Sequence, residues 1–389
     1  MDPVVIVAAA RTPLGAFNGQ FKSLSAVELG KAAVKKIAEG LDANIDAVYM
    51  GCALSAGLGQ SAARQVALGA GLGDAVNCIN INKVCGSGMT AVMLARNSIL
   101  IGENDVVVAG GIESMTGAPH LLEKSRFGYR FGDGKITDHI LKDGLMDAYE
   151  ECLMGYYAED TAAAYSLTRK EQDRYAEKSF NKARRAIEDK NFCAEITPVS
   201  IKEKKNNITV DTDEIPFSVD LAKIPDLKPS FRENGTITAA SASSLSDGAA
   251  AVLLMKQSKA EHLGLTPLAR IVAQSSFSQS PRLFATAPIG AIRRTLEKSQ
   301  WALSHVDLFE INEAFAVAAM AAIKEFSLDP MMVNIFGGAC ALGHPLGASG
   351  ARILVTLLNA LKTSDARRGL AALCVGGGEG VAITIELIC

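Results

Sequence analysis

The chain has no apolar run of the ~20 residues needed to cross a bilayer. It has no charge surplus either: 39 Lys and Arg stand against 42 Asp and Glu, a formal net charge of −3. That excludes the basic excess with which a protein grips a phosphate backbone, and no block of like charge forms a tail. Eight cysteines (Cys52, Cys78, Cys85, Cys152, Cys193, Cys340, Cys374, Cys389) make no Cys-x-x-Cys pair, and the five histidines are dispersed. Zinc spacing is therefore missing, and the expected state of these thiols is reduced. The start, MDPVVIVAAARTP, lacks the basic region of a signal peptide and reads as a mature cytoplasmic beginning. The end, IELIC, is not a peroxisomal address.

What is present is an α/β pattern. Apolar residues make up 49% of the chain and glycines number 35, a composition for close backbone packing. VVIVAA (4–9), IDAVYMGCAL (45–54) and DVVVAGGIESM (105–115) read as strands, the last entering a Gly-Gly turn. SAVELGKAAVKKIAEG (25–40), QSAARQVALGAG (60–71) and MTAVMLARNSILIG (89–102) read as helices between them. The alternation predicts βαβ units, a mainly parallel sheet and helices on both faces. VDLFEINEAF (306–315), GASGARILVTLLNAL (347–361) and LAALCVGGGEGVAI (370–383) repeat that order at near-equal spacing, which points to an internal duplication. The 117–244 stretch differs in kind. It carries irregular charged segments, a loop-like IKEKKNNITVDTDEIP, and one polar helix over 168–190 opened by a Thr168–Glu171 capping box. It reads as an excursion carrying binding surface.

Four residues fall just beyond predicted strands or in turns that open helices, where ligands collect in doubly wound sheets. Cys85, in NKVCGSGM, is a small buried residue of a tight corner or a nucleophile whose thiolate is favoured by the helix N-terminus. His344, in a glycine-rich run, is a satisfied structural histidine or a base and oxyanion donor. Cys374, before three glycines, is a buried strand thiol or lies beside backbone donors suited to an oxyanion. Asn312, in INEAFA, is a helix cap or a carboxamide donor. If the two halves bring them together, they supply a nucleophile, a base, an acid and an oxyanion donor.

The motifs NKVCGSGM, INEAFA, GGACALGHPLGASGAR and LCVGGGEG, with RTPLGAF and SSLSDGAAAVLLM, resemble in order and spacing the thiolase family of the acetyl-CoA acetyltransferase type, over essentially the whole chain. The resemblance implies a thiolase fold: two duplicated βαβαβαββ halves in a five-layered α-β-α-β-α core. Residues 1–116 with 245–265 would form the first half, 117–244 an inserted loop domain and 266–389 the second half. It implies acyl transfer between acyl-CoA molecules, with Claisen condensation of two acetyl-CoA to acetoacetyl-CoA and CoA, and the reverse thiolysis. Cys85 would carry the acyl group, with His344 as base and Cys374 as the second acid/base. Asn312 with His344 and the N–H groups of Cys85 and Gly376 would bind the oxyanions. Coenzyme A contacts carry over to Leu145, Met154, Phe231, Ala239, Ser243, Ala314 and Phe315. The implied cofactor is none held permanently, CoA thioesters being substrates. The implied partners are acetyl-CoA, acetoacetyl-CoA and CoA in a homodimer or homotetramer, without nucleic acid or membrane. Leu153 stands where a pantetheine-facing histidine is usual, and Phe284 where methionine is. A decarboxylating 3-ketoacyl synthase on the same fold is the rival chemistry, and Cys374 argues against it. An idle scaffold would have no physical need for two thiols in glycine-rich turns.

Overall fold

The computed structural model describes residues 2–202 and 206–388; Met1, Glu203–Lys205 and Cys389, with the parts of the readings that fall on them, lie outside the described residues. Branched apolar runs form β1 (Val4–Arg11), β2 (Ala47–Gly51), β3 (Asn77–Ile81), β4 (Val106–Ser114) and β5 (Ser246–Lys256) in the first half. The second half supplies β6 (Ala269–Ser278), β7 (Leu308–Ile311), β8 (Arg368–Val375) and β9 (Glu379–Leu387). With the short Gly15–Ala16 segment on β5 they make one ten-stranded sheet, ordered β7-β8-β9-β6-β1-β5-β4-β2-β3. The halves meet where β1 and β6 pair antiparallel through Val5–Arg270 and Ile6–Ala269. From that seam the order repeats outward, β5-β4-β2 on one side and β9-β8-β7 on the other.

Parallel pairing is confined to β3–β2–β4 and β7–β8, which corrects the expected mainly parallel sheet. The last two strands of each half pair antiparallel, β8 and β9 through a short glycine turn and β4 and β5 across a long excursion. A second correction concerns Gly110 and Gly111. They are not a turn, because β4 runs through them to Ser114.

Period-two alternation sends successive residues to opposite faces. Val106 and Val108 join one core with α1 (Ala26–Ala38) and α2 (Ala62–Gly69), while Val107 and Ala109 join another with α3 (Ser87–Leu100). In the excursion lie α4 (Met154–Ala164) and α5 (Arg169–Glu188), the latter carrying the predicted Thr168–Glu171 capping box. Outside the second half lie α6 (Ala287–Ser299) and α7 (Ala316–Phe326), and α8 (Leu346–Thr363) is buried on every side from Leu346 to Leu361. A helix apolar all round must sit inside. Here α8 packs on α3 between the two parts of the sheet, giving the five layers α-β-α-β-α.

Glycines allow that inner layer to close. A Cβ on Gly88 would lie 2.8 Å from the Gly347 carbonyl oxygen, and one on Gly350 2.5 Å from the Met89 nitrogen. Residues 115–245 leave the sheet between β4 and β5. They include a hairpin of His120–Leu122 with Ile136–Asp138, a π-helical turn Ile140–Leu145, and a second hairpin of Val199–Lys202 with Asn207–Val210. That second hairpin corrects the loop-like reading: Val199 and Ile201 are buried and alternate with exposed Ser200 and Lys202, a short strand signal overlooked among the lysines.

Candidate active site

The turn from β3 to α3 lifts Cys85 over the helix start. Ser87 Oγ accepts the Lys83 N–H at 2.8 Å and donates to the Val84 carbonyl at 2.7 Å, while the Gly86 N–H bonds the Lys83 carbonyl at 2.9 Å. Val84 is thereby held at φ +47°, a left-handed conformation that is strained for a β-branched residue. Gly86 is required next to it, since a Cβ there would lie 2.8 Å from Val375 Cγ2 in the second half. The helix start was expected to lower the thiol's pKa. Instead burial pushes Cys85 up to about 11, partly offset by the N–H groups of Gly376 and of Cys85 itself at the sulfur. Dehydration outweighs the helix end here.

His344 stands at the entry to α8. Ser349 Oγ gives its proton to the Pro345 carbonyl at 2.9 Å and faces His344 Nδ1 at 2.5 Å. Its free lone pair therefore accepts Nδ1–H, which leaves Nε2 as the unprotonated nitrogen. Nε2 is buried without a partner. Burial, then the Arg352 guanidinium, hold the imidazole down to about 3. At neutral pH the pair is a thiol and a neutral imidazole. Asn312 follows β7 and does not cap α7, whose cap is Phe315. Its amide nitrogen lies 3.4 Å from His344 Nδ1 and its Oδ1 has no partner. Cys374, 1% exposed near the end of β8, has its thiol driven far up by burial and then by the neighbouring Cys85.

Cys85, His344 and Gly376 line a cavity of about 280 Å³ together with Leu145, Met154, Phe231, Ser243, Ala314 and Phe315. Phe231 and Phe284 stack edge-on against Phe315 at 5.8 and 6.1 Å. Ser243 Oγ donates to the Ala314 carbonyl at 2.9 Å, tying the 238–245 loop to the wall. Leu153 and Phe284, the two departures noted above, both line the cavity. Cys374 packs in the cluster behind the wall with Phe284, Ala314 and Phe315. Ala239 is exposed and outside the lining, where its neighbour Ala242 takes a place.

Several residues escaped the sequence reading. Met115, Leu141, Leu245 and Leu346 also line the cavity, and Ser349 orients the histidine. Ser349 could have been found as the hydroxyl one turn into the helix that His344 precedes. Glu113, fully buried, accepts the N–H groups of Ala53, Leu54 and Gly347 at 3.0, 3.2 and 2.8 Å, which clamps the start of α8 to the loop after β2. Beside Asn312, Glu313 is consumed by Tyr175, Ser179, Asn334 and the Cys340 N–H. A carboxylate two residues past Gly-Gly in a buried strand was the available signal for Glu113.

Two thiols, one lining the same cavity as an imidazole whose buried Nε2 has no partner and one behind an apolar wall, come from opposite halves of a duplicated fold. Profiles described as thiolase, N-terminal domain, and thiolase, C-terminal domain, match residues 4–258 and 265–387. The chain belongs to the thiolase family. Within it, the chain is 47% identical over 390 residues to an acetyl-CoA acetyltransferase of Pseudomonas aeruginosa, covering 99% of each chain. The crystal structure of the Bacillus anthracis acetyl-CoA acetyltransferase superposes with a TM-score of 0.97 at 41% identity, covering 100% of this chain and 99% of that one. A thiolase from Ascaris suum, solved in complex with coenzyme A, gives 0.95 at 41% identity, over 99% and 100%.

Proposed function

We propose that this chain is an acetyl-CoA C-acetyltransferase working through an acyl-cysteine, joining two acetyl-CoA into acetoacetyl-CoA and CoA and running the reverse thiolysis. The observation that carries the reading is that Cys85 and a His344 with a free Nε2 line one apolar cavity, with a second thiol, Cys374, near the first. His344 Nε2 takes the Cys85 proton as the sulfur attacks the acetyl carbonyl, and the N–H groups of Cys85 and Gly376 receive the oxyanion. Coenzyme A leaves with the Cys374 proton. The resulting thiolate takes a proton from C2 of the second acetyl-CoA, and the enolate faces protonated His344 and Asn312. Its C2 attacks the acetyl-Cys85 carbonyl; the Cys85–acyl bond breaks, and the sulfur recovers its proton from His344. Every group ends as it began. Burial, which makes Cys374 a weak acid, makes its thiolate a strong base.

The apolar lining from Leu145 to Phe315 receives the acyl and pantetheine portion of CoA, and Phe284 narrows the acyl end. The 117–244 excursion acts as a loop domain between halves 1–116 with 245–265 and 266–389. In a homodimer or homotetramer its exposed Phe127 and Phe131 (87% and 104% exposed) meet a second copy. The test is the Cys374→Ser variant supplied with radiolabelled acetyl-CoA. Label should accumulate on Cys85 without acetoacetyl-CoA, and Cys85→Ala should take up none. Acetoacetyl-CoA from Cys85→Ala would overturn the assignment.

A further inference from the structure

The two thiol-bearing turns come from different halves and meet at their tips. Val84 Cγ1 lies 3.7 Å from where a Cβ on Gly376 would be, and Val375 Cγ2 fills the space beside Gly86. The Gly376 N–H reaches the Cys85 sulfur. At the rim of this contact Lys83, two residues before Cys85, forms an ion pair with Glu379, the first residue of β9. Their side chains are 26% and 33% exposed, so the pair is partly shielded from water. Between Cys374 and Glu379 run Val375 and three glycines, of which Gly377 and Gly378 sit at φ +88° and +86°. That backbone has no side chains to stiffen it. On the other side Val84 is held in a strained conformation. Each turn is shaped by its own bonds, Ser87 on one side and the Val375–Glu379 pairing on the other, and a link across them bears on their spacing. His344 is secured differently, through the glycine crossing of α3 and α8 and the clamp of Glu113 on Gly347.

We propose that Lys83 and Glu379 are a positioning pair, an electrostatic latch that sets the separation between the acyl-carrying turn and the proton-abstracting turn. The inference rests on the two-thiol mechanism above. It follows that the latch serves C–C bond formation and cleavage, which need both turns at once. Acetylation of Cys85 also draws on the second turn, through the Gly376 N–H and the Cys374 proton, so it depends on the latch as well. The latch matters little to CoA affinity, which resides in the cavity wall.

The test is a double-mutant cycle in the full-length enzyme with Lys83→Met, Glu379→Gln and their combination, plus the reversed pair Lys83→Glu with Glu379→Lys. Acetylation of Cys85 by acetyl-CoA is measured first in the wild type; its absence strikes the acyl-transfer reading itself. Each single variant should then lower kcat for acetoacetyl-CoA thiolysis about fivefold, the effect of a partly shielded ion pair. KM should stay within about twofold, and the acetylation rate should fall together with kcat. The double variant should be no slower than either single, and the reversed pair should recover most of the wild-type kcat. Wild-type kcat should fall toward the single-variant value in high salt, while Lys83→Met should not respond. Multiplicative losses in the double variant, or a reversed pair no faster than the single variants, would overturn the latch while leaving the reaction assignment standing.

Discussion

Glu113 and Cys374 occupy the same place in the two halves. Each lies one pair from the end of its hairpin, Glu113 opposite Gly248 and Cys374 opposite Gly380. Each is two residues past the parallel contact with the next strand, Gly111 with Gly51 and Ala372 with Ile311. The connections beyond them differ: residues 115–245 in one half, Gly376–Gly378 in the other. One position holds a carboxylate whose oxygens are occupied by three backbone N–H groups. The other holds a thiol beside glycines whose backbone is free to face a substrate. Duplication supplied two equivalent sites. One became a clamp on the start of α8, and the other, in the mechanism proposed above, a reagent.

The comparison breaks most sharply by removing each group in turn. Cys374→Ala should cost condensation about a thousandfold, the span of a lost acid/base, and shift the urea unfolding midpoint by the equivalent of about 1 kcal/mol or less. Glu113→Ala should cost stability first, and activity only through the loosened start of α8. Three buried N–H groups lose their acceptor, and stability should drop by about 3 kcal/mol or more in the same denaturation assay. Equal stability losses in the two variants would remove the distinction between clamp and reagent.

Two glycines of the second half sharpen the comparison next. Gly347→Ala would drive a Cβ to 2.7 Å from Cys52 Cα and from the Ile112 carbonyl oxygen, an overpacking cost of about 2 kcal/mol, and should lower kcat by moving His344. Gly377→Ala meets no atom within 4 Å and pays only for φ +88°, about 1 kcal/mol. Thermal unfolding of the two variants orders them.

A smaller effect is expected at Ser349, the residue that orients the base. Ser349→Ala should lower kcat about tenfold, with KM for acetyl-CoA steady, because Nδ1 loses the acceptor that fixes the tautomer. Steady-state thiolysis measures it.

The smallest change concerns pH. With Cys85 near 11 and His344 near 3, the free enzyme holds a protonated thiol at neutral pH. Its thiolate fraction, and so its alkylation by iodoacetamide, should still be rising at pH 10, where an ordinary thiol of pKa ~8.5 has levelled off. A plateau below pH 8 would signal a thiolate–imidazolium pair.

The sequence by itself marked the central strands and helices of each half, the duplication, and Cys85, His344, Asn312 and Cys374 as candidates. These are written in local signals: alternation for the strands, the Thr168–Glu171 capping box for α5, and reactive side chains embedded in glycine-rich turns. The tertiary structure alone decided which way the Cys85 thiol shifts, since desolvation is set by walls contributed from far along the chain. It also decided that Gly110 and Gly111 are a place of close approach and not a turn, because α8 and β5 crowd that strand. Ser349, Glu113 and the Lys83–Glu379 pair were settled there too. Each acts through a partner, and a partner's distance is a property of packing that neither periodicity nor spacing encodes.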